Sequence, residues 1–270
     1  MNGIRVLDLC CGKGGDISKL ANADISIYVG ADLAANSVET AEERGRQLFA
    51  QRRQHVSQTY LATDCFRTRI AAILADRVGA ADAGHSPIYD LVSCQFSLHY
   101  AFEAEDALRG ALLNVSERLR IGGLVVFTTI NETTLLSRLA SHQQCGNSIY
   151  RVRALPTFNS GNGSVFGRGY HFTLRDTIDC PEFLVDTPTL LGIAHEYGLT
   201  VRRQFESLLD VARTSEGSRE DTKLRQRYQQ HGGLALSEDE AEVISLYQAI
   251  ILVKTHEPAP LPLPAWLRPE

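Results

Sequence analysis

Short apolar runs alternate along this chain with longer stretches whose apolar residues recur at helical spacing. That alternation predicts a parallel sheet wrapped by helices. Ile4 to Leu9 reads as the first strand and runs straight into a glycine-rich turn, Cys11-Gly12-Lys13-Gly14-Gly15, after which Asp16 to Ala21 opens a helix. Ser26 to Ala31 reads as the second strand, ending at Asp32, and Ser37 to Ala50 as a polar helix with Ser37 as its N-cap. Gln58 to Ala62, ending at Asp64, is the third strand and Tyr89 to Cys94 the fourth. Glu105 to Leu119 is a helix that Gly122-Gly123 should close, and Leu124 to Thr129 is the fifth strand.

After the fifth strand the rhythm breaks. Ser141 to Thr187 is rich in Gly, Asn, Ser, Phe and Tyr and reads as an irregular or β-hairpin insertion on the substrate side. Thr189 to Tyr197 is a helix, and Thr200 to Leu208 and Ile244 to Lys254 look like final strands able to pair as an antiparallel hairpin. Residues 213–236 are polar and charged, the pattern of a mobile loop, and 257–270 form a Pro-rich, extended tail after a single domain over 1–256. No internal repeat is visible.

Composition narrows the function by exclusion. A chain of 270 residues with 44% hydrophobic and 22% charged residues can bury a sizeable core. The formal net charge of -5 argues against a protein that coats nucleic acid with a broad basic surface, and DNA is not expected as a partner; a pocket gripping one nucleotide is untouched by that argument. The six cysteines, Cys10, Cys11, Cys65, Cys94, Cys145 and Cys180, contain no CxxC pair, so a zinc site is not expected. Their spacing in a chain this long fits a reducing, intracellular compartment better than a disulfide scaffold. No apolar stretch approaches the roughly 20 residues needed to span a bilayer, and the N-terminus has no signal-peptide pattern.

A strand leading through glycines into a helix is a nucleotide-binding device: glycines admit the ligand to the backbone and the helix start offers free N–H groups. Asp32 adds weight. It ends the next strand, about 20 residues on, where the ribose hydroxyls of a bound nucleoside would lie. Asp64 takes the corresponding place after the third strand and could accept a hydrogen bond from an adenine amino group. A P-loop fails because no Ser or Thr follows the Gly-Lys pair, and the dinucleotide fingerprint G-x-G-x-x-G is absent. The order Asp8-Leu9-Cys10-Cys11-Gly12-Lys13-Gly14 has the D-x-x-x-G-x-G spacing of class I methyltransferases. The expected fold is therefore α/β and Rossmann-like, with a mostly parallel seven-stranded sheet and an insertion after the fifth strand.

Three blocks resemble the cellular mRNA cap guanine-N7 methyltransferases. Val6 to Asp16 resembles the family's V-L-D-L-G-C-G-K-G-G-D, Ser93 to Tyr100 its S-C-Q-F-x-x-H-Y, and Cys180 to Val185 its V-P-E-F-L-V. The resemblance covers nearly the whole chain. It implies S-adenosylmethionine as cofactor, S-adenosylhomocysteine as product and the 5′ end of capped RNA as partner. It places cofactor contacts at Cys10, Gly12, Asp32, Asp64, Gln95 and Tyr100, and cap contacts at Lys13, Lys19, Arg44, His99, Glu182 and Tyr247. It also implies a nuclear setting, or a cytoplasmic one for a viral or specialised enzyme, and an association with a guanylyltransferase domain or a capping-complex subunit.

These residue types suit that chemistry. Three cations on the first turn and the flanking helices suit a triphosphate bridge, although Lys19 and Arg44 can equally be ordinary solvated helix charges. A carboxylate at Glu182 can accept both N–H donors of the guanine Watson–Crick edge. His99 and Tyr100 fall in the loop after the fourth strand, on the rim that faces ligands in open α/β sheets; Tyr247 in an apolar strand can equally be a packed core residue. No acid–base catalyst is assigned, since guanine N7 has a lone pair and no proton to remove. Three departures stand out: Cys10 where the family has Gly, Ile130 where it has Pro in a wall of the cap pocket, and a chain that starts only a few residues before the first strand, where the family has an Asn- and Lys-bearing segment. Whether that segment was removed, belongs to a longer polypeptide or was lost stays open. Two other functions compete: methylation of a small molecule or protein, and a catalytically weak scaffold of a capping complex.

Overall fold

The computed structural model describes residues 3–78, 88–140, 142–159, 163–216, 218, 222, 236–260 and 262–267. The first five strands are β1 (Ile4–Leu9), β2 (Ile25–Asp32), β3 (Ser57–Ala62), β4 (Tyr89–Gln95) and β5 (Leu119–Ile130). Between them lie α1 (Ile17–Leu20), α2 (Ala35–Gln51), α3 (Ile70–Val78) and α4 (Glu105–Ser116). α5 (Glu132–Leu139) then leads into four short strands, β6 (Gln144–Gly146), β7 (Tyr150–Ala154), β8 (Gly169–Leu174) and β9 (Ile178–Phe183). The chain continues through α6 (Thr187–Glu196), β10 (Leu199–Phe205), α7 (Leu208–Thr214), α8 (Glu238–Ser245) and β11 (Tyr247–Lys254).

Among the described residues seven strands form the main sheet in the order β10-β11-β5-β4-β1-β2-β3, and β6 to β9 form a separate antiparallel sheet in sequence order. β1 to β5 are mutually parallel, while β11 runs antiparallel to both β5 and β10, as the terminal hairpin pattern predicts. This is the class I, Rossmann-like methyltransferase architecture. Helices cover both faces, so inner strands read as nearly unbroken apolar runs. Leu7 and Leu9 of β1 face one core with Val92 and Phe127; Val6 faces the other with Tyr28 and Phe49. A third core, with Ile130, Tyr150, Phe172 and Leu246, joins the small sheet to the large one.

Four local expectations need correction. Gly122-Gly123 do not close a helix: α4 stops at Ser116 and the pair lies inside β5, where the pairing with β4 jumps from Tyr89–Leu119 to Leu91–Leu124 and Gly122 takes φ +78. The glycines make a bulge at the strand entrance, a use that sequence cannot separate from a C-cap. Ser37 is not an N-cap, because α2 begins two residues earlier and Ala34 occupies the cap position. Ile244 belongs to α8 and Leu208 to α7 rather than to the strands. The tail is not wholly extended, since Ala265–Leu267 forms a short 3-10 helix, with the Ala265 N–H donating to Asp106 at 2.6 Å. Most of 213–236, read from sequence as a mobile loop, lies outside the described residues.

The sheet order reverses between β1 and β4. Neighbouring strands there send their chains to opposite sides, and a crevice opens at their C-terminal ends. The turn after β1 and the loop after β4 meet at that crevice.

Candidate active site

The turn after β1 is held in shape by β2. The Cys11 N–H donates to Ala31 O at 3.0 Å and the Gly12 N–H to Asp32 Oδ2 at 2.8 Å, while Asp32 Oδ1 accepts from the Ala34 N–H at 2.9 Å. Gly14 sits at φ +72, a left-handed backbone that favours glycine, and a Cβ there would crowd Ile17 of α1 and come within 3.2 Å of Ala41 of α2. Cys10, which replaces the family glycine, adopts φ +55. Beneath the turn Asp8 is buried and accepts from the Tyr28 hydroxyl at 2.9 Å; burial pushes its carboxyl up to about 7.

A first cavity of about 490 Å³ opens over these strand ends, lined among others by Cys10, Asp32, Leu33, Asp64, Tyr100 and Pro181. Asp64 Oδ1 accepts the N–H groups of Phe66 and Arg67 at 2.8 and 3.1 Å, fixing the loop after β3. Leu33, 73% exposed, offers an apolar side chain directly beside the Asp32 carboxylate. A nucleoside needs that combination of acceptors for its hydroxyls, backbone at close approach and an apolar surface for its base.

A second cavity of about 340 Å³ lies on the other side of β9 and is lined among others by Phe96, His99, Ile178, Glu182, Val243 and Tyr247. Glu182 is 3% exposed, and its Oε2 accepts from the buried Tyr170 hydroxyl at 2.9 Å. Burial pushes its carboxyl up to about 7, against a smaller downward pull from the Tyr170 hydrogen bond and a further one from His171. His99 is equally buried, and burial pushes its imidazole down to about 3, so the ring is neutral. Neither ring nitrogen has a hydrogen-bond partner. A buried carboxyl with spare acceptor capacity beside an unpartnered imidazole costs stability unless a ligand completes it. Phe96, at φ +55, packs edge-on against Tyr247 with centroids 5.1 Å apart.

The two cavities share one partition. In the loop after β4, Ser97 and Tyr100 face the first cavity, and Phe96 and His99 the second. On β9 the strand alternation sends Pro181 and Phe183 to the first and Ile178 and Glu182 to the second. The His99 and Tyr100 rings lie 4.1 Å apart, and the Tyr100 hydroxyl lies 3.4 Å from the Cys180 Sγ.

Of the residues singled out from sequence, Cys10, Asp32, Asp64 and Tyr100 line the first cavity and His99, Glu182 and Tyr247 the second. Gly12 lies in the turn with its N–H on Asp32. Gln95 lines neither cavity: its amide donates to Ser93 Oγ at 3.2 Å and Val126 O at 3.0 Å and accepts from Thr128, a network within the sheet. Lys13, Lys19 and Arg44 are exposed and line neither cavity; Lys19 pairs with Asp16, and Arg44 lies among Glu39, Glu43 and Gln47 on α2. Ile130, which stands where the family has Pro, lines neither cavity and is buried in the core between α5 and the small sheet. Sequence reasoning missed Phe96, Leu33 and Ile178. Phe96 stood inside a quoted motif; the other two carry no signal beyond being apolar.

The fold and the paired cavities define a Rossmann-like methyltransferase. Two solved structures share the fold: the CcbJ methyltransferase from Streptomyces caelestis, at 11% identity and a TM-score of 0.56 over 94% of this chain and 85% of that one, and a putative S-adenosylmethionine-dependent methyltransferase from Listeria monocytogenes, at 14% and 0.52 over 94% and 92%. The chain belongs to the mRNA (guanine-N(7))-methyltransferase domain family, whose model matches residues 1–255. It is 34% identical over 269 residues to mRNA cap guanine-N(7) methyltransferase 1 of Arabidopsis thaliana, covering 93% of this chain and 69% of the relative. It is 32% identical over 259 residues to the mRNA cap guanine-N(7) methyltransferase of Cryptococcus neoformans var. neoformans serotype D, covering 93% of this chain but 40% of that relative's length.

Proposed function

We propose that this chain transfers the methyl group of S-adenosylmethionine to guanine N7 of an RNA 5′ cap. The observation that carries the reading is the shared partition: a nucleoside-shaped cavity on one side, a buried carboxylate on the other, and His99, Tyr100 and β9 between them. The first cavity takes the cofactor, with Asp32 on the ribose, Leu33 under the base and the loop fixed by Asp64 around its edge. The second takes guanine.

The sulfonium of the cofactor supplies an already activated methyl group. Guanine N7 supplies the electron pair, so the N–C bond forms as the S–C bond breaks, the positive charge passes from sulfur to the base, and no proton moves. The protein's task is position and electrostatics. Glu182 accepts the two N–H donors of the Watson–Crick edge, oriented by the Tyr170 hydroxyl. Phe96 and Tyr247 hold the base plane and exclude water. As charge develops on the base, the Glu182 carboxylate sits where it stabilises it. Lys13, Lys19 and Arg44 remain candidates for the triphosphate: all three are solvent-facing, and Lys19 would exchange Asp16 for phosphate. A nuclear site of action and a guanylyltransferase partner belong to the same reading. No helix among the described residues is long and apolar enough to cross a membrane.

Methyl transfer to GpppG and ApppA tests it. The carboxylate predicts transfer to GpppG alone, because adenine presents an acceptor at N1 and would leave Glu182 unpaired. Equal transfer to both would overturn the assignment of the second cavity.

A further inference from the structure

The small sheet has a second face. Along β7, Tyr150 and Val152 turn inward and are buried, so Arg151 and Arg153 turn outward and are exposed. The register carries that face across the sheet. Arg153 pairs with His171 of β8, and His171 with Pro181 of β9. Pro181 is exposed and lines the first cavity. One cross-strand row therefore runs from the cavity wall through His171 to Arg153, about 10 Å away at ordinary strand spacing, with Arg151 about 7 Å further along its strand.

These two guanidiniums differ from the arginines that pair with acids. Arg5, Arg69, Arg109, Arg120, Arg138 and Arg168 each lie against a carboxylate. Among the described residues, Arg151 and Arg153 have neither an ion pair nor a side-chain hydrogen bond. Arg175, exposed just beyond β8, adds a third positive charge and donates to the Ser148 carbonyl. The acid on this face, Asp179, is taken up by His171 at 2.8 Å and Thr173 at 3.0 Å. A positive patch thus stands beside the first cavity, in a chain of net charge -5.

We propose that this outer face, centred on Arg151 and Arg153, binds the phosphates of the first nucleotides beyond the cap. The inference rests on the cap reading above and extends it to the RNA body. Its occupant is single-stranded RNA: a flexible polyanion tethered at the neighbouring site matches two free guanidiniums a strand-repeat apart. Neither the Pro181–His171–Arg153–Gln144 row nor its neighbour through Arg151 carries a Phe, Tyr or Trp on which bases could stack. Recognition is of backbone charge, and so independent of sequence and sensitive to salt.

The test compares GpppG with a capped, unstructured RNA of about 20 nucleotides. In the Arg151→Glu/Arg153→Glu variant, KM for the long RNA should rise about tenfold near 0.1 M salt, the loss expected for two single-strand phosphate contacts. The dependence of log KM on log salt should flatten by about 1.4, while kcat and KM for GpppG stay unchanged. Arg151→Gln/Arg153→Gln should give the same change, smaller, and guards against a misfolded reversal variant. Equal KM shifts for both substrates, or none, would overturn the proposal. So would a variant that keeps its RNA affinity and loses affinity for a phosphoserine-rich peptide, which would make the partner a phosphoprotein. RNA affinity is read separately by fluorescence anisotropy. If the wild type bound RNA through these arginines yet left GpppG unmethylated, the cap reading would fail and the surface would stand.

Discussion

Nε2 of His99 lies 3.6 Å from Oε1 of Glu182, with both side chains closed off from solvent. Burial works in opposite directions on the two groups, raising the carboxyl to about 7 and lowering the imidazole to about 3. The pair therefore carries no net cation near neutrality, and the carboxyl is half protonated in the free protein. Guanine needs the ionised form, which alone offers acceptors to both N–H donors. Cap kcat/KM should accordingly fall about tenfold per pH unit below 7 and level off above it. A profile flat from pH 5 to 8 would mean that Glu182 is not the guanine acceptor. Cofactor affinity, measured by calorimetry over the same range, should not follow this curve.

Replacing the acid separates recognition from folding. Glu182→Gln places a donor against a guanine donor and removes the charge, so cap kcat/KM should drop by a factor on the order of a hundred or more, with S-adenosylhomocysteine affinity retained. Stability should move the other way. The folded state raises this carboxyl above its usual value near 4.3, so its stabilising protonated form is fully present below that value and lost as pH rises through 7. The Gln variant should be more stable than the wild type at pH 8 by about 3–4 kcal/mol, and nearly equal to it at pH 4, in chemical denaturation.

Asp32 does two jobs. Its oxygens already accept the Gly12 and Ala34 N–H groups, and each has a lone pair left for a ribose hydroxyl. Asp32→Asn keeps the shape and weakens both. Cofactor affinity should fall at least tenfold, while affinity for a cap analogue changes less than threefold, by calorimetry. Unchanged cofactor binding would remove the ribose from Asp32.

Asp8 and Tyr28 form a buried pair that touches neither cavity. Tyr28→Phe removes the hydroxyl that donates to that carboxyl at 2.9 Å and should destabilise by about 1–3 kcal/mol. The bond favours the ionised form of a group raised to about 7, so the loss should be larger at pH 8 than at pH 6 in denaturant titrations. Guanine selectivity should not change.

Much of the fold was visible in the chain because the first three parallel strands are short apolar runs punctuated by an acid or glycine, as at Asp32, Asp64 and Gly12. The errors fall where one residue type serves two geometries. Gly122-Gly123 could end a helix or bulge a strand, and the choice depends on the β4 register, a long-range fact. Ser37 looked like a cap, but Asp32 reaches forward to the Ala34 N–H and the helix starts there. In the site, Asp32 was singled out from residue type and position and Glu182 through the resemblance; they line the first and second cavities respectively. The division of labour along β9, with Pro181 facing one cavity and Glu182 the other, follows from strand alternation, but only once the stretch is known to be a strand. The left-handed backbone at Phe96 and at Cys10 leaves no trace in side-chain chemistry. A polar residue at a strand end such as Gln95 serves a ligand or its neighbouring strand equally well, and here its amide bonds to Val126 and Thr128.

The most direct measurement is the position of the transferred methyl group. The protein is incubated with GpppG and S-adenosylmethionine carrying a labelled methyl group, and the digested product is resolved by chromatography and mass spectrometry. All label should appear in 7-methylguanosine, formed about a hundredfold or more slowly when Glu182→Gln replaces the wild type. Label on a ribose oxygen, or transfer undiminished by the loss of the carboxylate, would contradict the assignment of the two cavities.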